Sequence, residues 1–196
     1  MTIIQIVGTN SAGKTTAMRS VLTMGQDARE ITGEKGKTVG HDLTLAGKRV
    51  RILGPYTESK ALCVGMDKLG GTAEWQYQFI KENHAETEFL LYEGMRLHNF
   101  RRTAELVNAG IPVHLVVLTT PIDVVLDSLT QRRAAKGQPP LQDVKHVLLN
   151  DRRAKSFARK LYQLGAALHQ VDRDAAPEKI VEIIQNSTLL PPKSKL

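Results

Sequence analysis

The sequence has one cysteine, Cys63, so no disulfide can close within the chain. That usage fits a reducing compartment and leads us to expect a cytoplasmic protein. No apolar run approaches the length needed to cross a bilayer. No basic segment followed by a long apolar stretch stands near Met1, so a signal peptide is not expected. The six histidines show no His/Cys spacing of a zinc site. There is no G-x-S-x-G elbow, no Asn-Lys-x-Asp guanine motif, no internal repeat and no low-complexity segment. Aromatic residues make up only 5% of the chain, so any clustering of them is notable.

What is present is ordinary for a globular protein in all but charge. The 196 residues suit one domain, expected over 1–186, followed by a frayed 187–196 tail. The net charge of +7 is unusual. A protein that grips small nucleotides needs positive charge only inside its cleft, whereas a polyanion binder spreads it outside. Charge alone does not choose between these and a merely solvated basic face.

The first chemical signal is Gly8-Thr9-Asn10-Ser11-Ala12-Gly13-Lys14-Thr15, which fits the phosphate-binding pattern G-x-x-x-x-G-K-[ST]. The β-branched run Ile3–Val7 precedes it, and Thr16 onward can continue as a helix. That is the strand–loop–helix context the mechanism needs. Successive backbone N–H groups wrap phosphates and the helix N-terminus adds its positive end. Lys14 is expected to reach the β/γ oxygens and Thr15 to hold Mg²⁺, so ATP and Mg²⁺ are the expected cofactors.

Hydrophobic patterning places core strands at Ile3–Val7, Arg49–Leu53, Glu88–Tyr92, Val113–Thr119 and Leu168–Val171, with a hairpin partner at Thr38–Leu45. Helical patterns cover Lys14–Met24, Thr72–Asn83, Phe100–Asn108, Pro121–Ala134, Leu141–Leu164 and Pro177–Gln185. The alternation predicts an α/β fold with a parallel sheet of the five core strands and a small hairpin, and 131–140 reads as a lid-like segment between two helices. The long connection Gly54–Gly71, with four glycines, reads as functional or disordered.

Further candidates gather near these strand ends. Glu93 closes the third core strand at the edge where α/β folds bind ligands. It is a candidate to order a Mg²⁺-bound water or activate an acceptor hydroxyl, or else a capping carboxylate. Arg132 and Arg133 end a helix just before the lid and can clamp a phosphoryl group; they also suit a helix dipole. Asp67 is either a general base or a turn former. Lys68 and Arg96 are candidates for an acceptor-side phosphate. Tyr56, Trp75, Tyr77 and Phe79 can stack on a base, although the i,i+4 spacing of Trp75 and Phe79 equally suits a core stripe. Along Asp151–Leu164, the apolar face Ala154, Phe157, Leu161 and Leu164 leaves Arg152, Arg153, Lys155, Arg159 and Lys160 on the remaining surface. This is either a basic ridge for a nucleic-acid backbone or an ordinary amphipathic helix.

Gly8–Thr15, Leu91-Tyr92-Glu93-Gly94, Gln131-Arg132-Arg133-Ala134-Ala135-Lys136-Gly137 and Val171-Asp172-Arg173-Asp174 together resemble the thymidylate-kinase-like branch of P-loop kinases. The resemblance implies that Gly8 to Thr16 with Arg132 and Arg133 bind ATP. It also implies helices on both faces of a five-stranded parallel sheet, a lid at about 131–140, and a closing stretch, Val171-Asp172-Arg173-Asp174 to Pro177-Glu178, that passes near the adenine. Lys14, Asp67, Glu93 and Arg132 are the candidate catalytic residues. Where thymidylate kinases carry Asp-Arg, this chain has Glu93-Gly94. That ending, the Tyr56…Gly65-Met66-Asp67 loop and the basic charge look more like phage DNA kinases. Those enzymes phosphorylate 5-hydroxymethyldeoxyuridine within DNA, on the way to hypermodified thymidines that protect phage DNA from restriction. DNA is then the expected partner. The alternatives are a free nucleotide or nucleoside kinase and, from another class, a nucleotide-dependent switch; the sequence assigns no oligomeric state.

Overall fold

Buried β-branched residues set the frame. In the computed structural model, which describes residues 1–33, 36–57, 64–84, 86–139, 141 and 143–187, the run Thr2–Val7 forms strand β1, buried along its whole length. It sits between β5 (Phe89–Glu93) and β6 (Val113–Leu118) and runs parallel to both. β4 (Lys48–Leu53) adds in parallel to β5, and β7 (Ala167–Val171) to β6. Strands covered on both faces must be apolar throughout, which is why β1 and β5 lack the alternation of a half-exposed strand.

Two more strands extend this sheet. β3 (Thr38–Leu45) pairs antiparallel with β4, and β2 (Gln26–Thr32) pairs antiparallel with β3. The result is one mixed, seven-stranded sheet ordered β2-β3-β4-β5-β1-β6-β7. The expected five-stranded parallel sheet is thus corrected to a mixed seven-stranded one: the hairpin partner expected at Thr38–Leu45 joins it as β3, and β2 adds a further strand outside that. Arg51 of β4 helps to fuse β3 to the sheet. Only 9% exposed, its guanidinium grips both oxygens of Asp42 on β3 and donates to Glu86 and Asn83.

Among the described residues six helices cover the faces, and two apolar clusters separate them. α1 (Lys14–Met24), α4 (Ile122–Ala134) and α6 (Ala176–Asn186) pack on the face that carries Ile4, Ile6 and Leu91. α2 (Ala73–His84), α3 (Phe100–Asn108) and α5 (Lys145–Gln163) pack on the face of Ile3, Val7 and Tyr92. α5 starts later than expected from Leu141 because the Asp143 carboxylate accepts from the Lys145 N–H at 2.7 Å, satisfying an amide that lies beyond the helix ladder. Leu164, expected on the apolar face, lies past the end of α5 and is 42% exposed. Residues 58–63 of the long glycine-rich connection, including Cys63, Pro140 of the expected lid and residues 188–196 of the expected tail lie outside the described residues. Among the described residues, no helix is long and apolar enough to cross a membrane.

Candidate active site

The first loop leaves the C-terminal end of the central strand, and its backbone turns sharply. Ser11 and Gly13 both adopt left-handed conformations, at φ 62° and 101°. Alternation of this kind aims consecutive N–H groups into one concavity. Gly13 is also packed closely: a Cβ there would stand 3.1 Å from Cβ of Arg173. The ammonium of Lys14, 6% exposed, donates to the carbonyls of Gly8 and Thr9 at 3.0 and 2.8 Å and lies 3.8 Å from the Met95 sulfur.

Register brings the second half of the site alongside. Ile6 of β1 is paired with Glu93 of β5, so the end of β5 reaches the same level as the loop. The Thr15 hydroxyl donates to Oε1 of Glu93 at 2.9 Å. Glu93 is only 3% exposed. Burial pushes its carboxyl up; the Lys14 ammonium and hydrogen bonds from Thr15 and Tyr56 oppose this, and the Asp67 carboxylate adds to the rise. Asp67 sits in a short 3₁₀ turn, Met66–Lys68. Its carboxylate accepts from the backbone N–H groups of Met95 and Arg96 at 2.7 and 3.2 Å. Gly65 makes this closeness possible, because a Cβ there would fall 2.1 Å from Oε1 of Glu93.

These groups line one cavity of about 540 Å³. Of the expected residues, the cavity brings together Asn10, Ser11, Gly13, Lys14, Thr15, Thr16, Asp67, Glu93 and Arg132. Gly8, Thr9 and Ala12 support the loop from behind; the Ala12 carbonyl accepts from Thr120 Oγ1 at 2.8 Å. Arg133 is not brought in. Its Nε donates to the Pro139 carbonyl at 2.7 Å, so it braces the segment after α4. Met95, Ser128, Gln131, Arg173 and Asp174 also line the cavity. Ser128 precedes Arg132 by one helical turn, a spacing that could have pointed to it. Arg173 and Asp174 follow β7, and nothing local marks them as facing the loop.

The expected base-stacking aromatics divide. Tyr56 and Tyr77 are buried, and the Tyr77 hydroxyl bonds the Leu97 carbonyl at 2.7 Å. Trp75 and Phe79 stack on each other at 5.3 Å, with Trp75 43% exposed. Arg96 is exposed and reaches the Gly71 carbonyl. Lys68 is exposed.

The site fits a polyphosphate and a hard cation on its own chemistry. Oγ of Ser11 is buried in the loop with no hydrogen-bond partner among the described residues. Thr15 and Glu93 offer oxygen donors side by side, as Mg²⁺ prefers. Among the described residues there is no cluster of three His, Cys, Asp or Glu side chains that could hold a metal without help. A cation bound mainly through phosphate oxygens and water does not need one.

The sequence matches no protein-family model. It is 26% identical over 187 residues to the 5-hmdU DNA kinase of Pseudomonas phage PaMx11, covering 93% of this chain and 97% of that protein. The chain is therefore similar to a phage DNA kinase along nearly its whole length, as the sequence resemblance leads one to expect. It is an enzyme of the kinase class, one that phosphorylates a substrate.

Proposed function

We propose that the protein transfers the γ-phosphoryl group of ATP to the hydroxymethyl oxygen of 5-hydroxymethyluracil in DNA. The observation that carries the reading is the convergence of Lys14, Thr15, Glu93 and Asp67 on one cavity, in a chain similar to a kinase named for that substrate. Gly8 to Thr16 and Arg132 hold the triphosphate. Thr15 and Glu93 hold Mg²⁺, which supplies charge neutralisation as the phosphoryl group moves. Lys14 stabilises charge on the transferring oxygens.

Asp67 is the group best placed to take the acceptor proton. Its carboxylate is fixed by two backbone N–H groups, and geometry of this kind holds a base in one orientation. Glu93 is occupied by Thr15 and suits the metal side instead. In the reaction the hydroxymethyl oxygen bonds to the γ-phosphorus as the bond to the β,γ-bridging oxygen breaks. The hydroxyl proton passes to Asp67, and ADP leaves. A base within a duplex has to be flipped out or offered in a single strand to reach such a cavity. The product is an activated pyrimidine for hypermodification of phage DNA in the host cytoplasm, a change that shields DNA from restriction.

The test is incubation with radiolabelled ATP and, in parallel, hydroxymethyluracil DNA, ordinary DNA and a panel of free nucleotides. Label on the modified DNA alone is the expected result. Label only on free nucleotides overturns the DNA acceptor. Lys14→Ala should abolish transfer while the protein keeps its fold; normal turnover in that variant overturns the role of the loop.

A further inference from the structure

One helix carries most of the chain's excess charge. α5 holds six basic residues (Lys145, Arg152, Arg153, Lys155, Arg159 and Lys160) against a single acidic one, Asp151. That leaves an excess of five positive charges on α5, out of a formal net charge of +7 for the protein. Its inner face is apolar: Val147, Ala154, Phe157, Ala158 and Leu161 are buried. Lys145, Arg152 and Arg159, spaced seven residues apart, form a row on the outward face. Arg153 and Lys160 repeat the spacing beside it. All five are exposed.

Little neutralises this row. Lys155 is paired with Asp151 at 2.7 Å. Among the described residues, no carboxylate lies within 4.0 Å of the side-chain nitrogens of Arg152, Arg153 or Arg159. Some arginines elsewhere are compensated: Arg51 meets Asp42 and Glu86, and Arg102 meets Glu74 and Glu105. Like charges one or two turns apart on a helix cost stability, so a row left unpaired calls for a partner.

The helix that carries the row begins beside the active site. In the first turn of α5 the Val147 carbonyl accepts from the hydroxyl of Thr9, in the phosphate loop, at 3.4 Å. Further along, the Lys160 ammonium stands 5.9 Å over the Phe100 ring, at the start of α3. Phe100 is 40% exposed and lies five residues after Met95, which lines the cavity.

We infer that the outward face of α5 is the track for the DNA sugar-phosphate backbone, with Arg152, Arg153 and Arg159 as its main phosphate contacts. The inference deepens the proposed function and rests on its reading of DNA as the acceptor. A helix of 19 residues spans about 28 Å, the length of about eight base pairs of duplex. The contacts carry no base information. They hold the strand while a single base is presented to the cavity.

The experiment measures binding of a hydroxymethyluracil-containing oligonucleotide by fluorescence anisotropy across a salt series. It compares wild type, the triple variant Arg152→Gln/Arg153→Gln/Arg159→Gln, and a control that removes the same charge on the β2–β4 side, Arg29→Gln/Lys37→Gln/Arg49→Gln. The α5 variant should bind roughly 10- to 100-fold more weakly at physiological salt, with the slope of log affinity against log salt shallower by about 2 on a single strand and about 3 on duplex. The control should stay close to wild type. Thermal shift with ATP and Mg²⁺ checks that the α5 variant remains folded. If wild type binds steeply with salt and the α5 variant keeps its slope, or the control loses as much, the track is wrong while the DNA reading stands. If wild type itself neither binds nor phosphorylates DNA, it is the DNA reading that fails.

Discussion

Thr15 and Glu93, 78 positions apart in the chain, are joined by a 2.9 Å hydrogen bond across the mouth of the site. The bond links the start of α1 to the end of β5 and holds a carboxylate in a place where burial disfavours its charge. Glu93→Gln keeps the shape and removes the charge. Phosphotransfer should fall about 100-fold or more, while the melting temperature at neutral pH holds or rises, since a group whose pKa is raised on folding costs stability when ionised. Near-normal turnover in this variant would excuse Glu93 from the metal side of the site.

Gly65→Ala tests the packing that brings the two carboxylates together. The new methyl would fall 2.1 Å from Oε1 of Glu93 and 2.9 Å from its backbone oxygen. Something must move, and the backbone oxygen cannot swing away as a side chain can. We expect a loss of about 1–3 kcal/mol in stability and a drop in turnover larger than the loss of folded protein explains. Denaturant melts combined with initial rates check this. A variant with both properties intact would show that β5 and the Met66–Lys68 turn adapt freely.

The neighbouring arginines should separate in function. Arg132 lines the cavity, whereas Arg133 is turned to the Pro139 carbonyl. Arg132→Ala is expected to lower kcat/KM for ATP by about tenfold or more. Arg133→Ala should cost only a few-fold. Steady-state kinetics at varied ATP decides, and the reverse ranking would mean that the two exchange places during turnover.

His98 gives the protein an acid weakness. Its ring stacks on Phe157 at 5.3 Å, and among the described residues neither nitrogen has a hydrogen-bond partner. Burial first, then the Lys14 charge, lowers its pKa to about 3. The unfolded chain binds a proton near pH 6.5 that the folded chain refuses. Stability is therefore full above pH 6.5 and falls as pH drops toward 3, by up to about 1.4 kcal/mol per pH unit from this group. The stacked pair His114 and His169, also held low by burial, adds to the trend. His98→Phe should flatten the slope of stability between pH 6 and 4, as followed by urea titration. An unchanged slope would place the proton uptake elsewhere.

Local patterns carried much of this architecture. The strand at Thr38–Leu45 and the helices at Lys14–Met24 and Phe100–Asn108 have the expected bounds, because apolar periodicity and caps such as Asn99 act over a few residues. β2 was illegible for the opposite reason. Gln26-Asp27-Ala28-Arg29-Glu30-Ile31-Thr32 has no apolar alternation, since it is exposed nearly throughout and owes its strand form to pairing with β3. The loop motif marked one wall of the cavity outright. Glu93 was visible as a strand end, but the proximity of Asp67 to it depends on how the 54–71 connection folds back. Arg173 enters only because β7 is adjacent to β6, a fact of topology. The separate orientations of Arg132 and Arg133 arise from a contact with Pro139, which no periodicity encodes.

That same exposed β2 lies at one rim of the sheet. Rims of this kind offer unpaired amides and carbonyls to any passing strand. Here the rim carries Asp27, Arg29 and Glu30, and its pairing register slips between Gln26 and Arg29, with Asp27 in a left-handed conformation. A kinked, charged border resists edge-to-edge stacking, so the protein is guarded on that side against aggregating at high concentration.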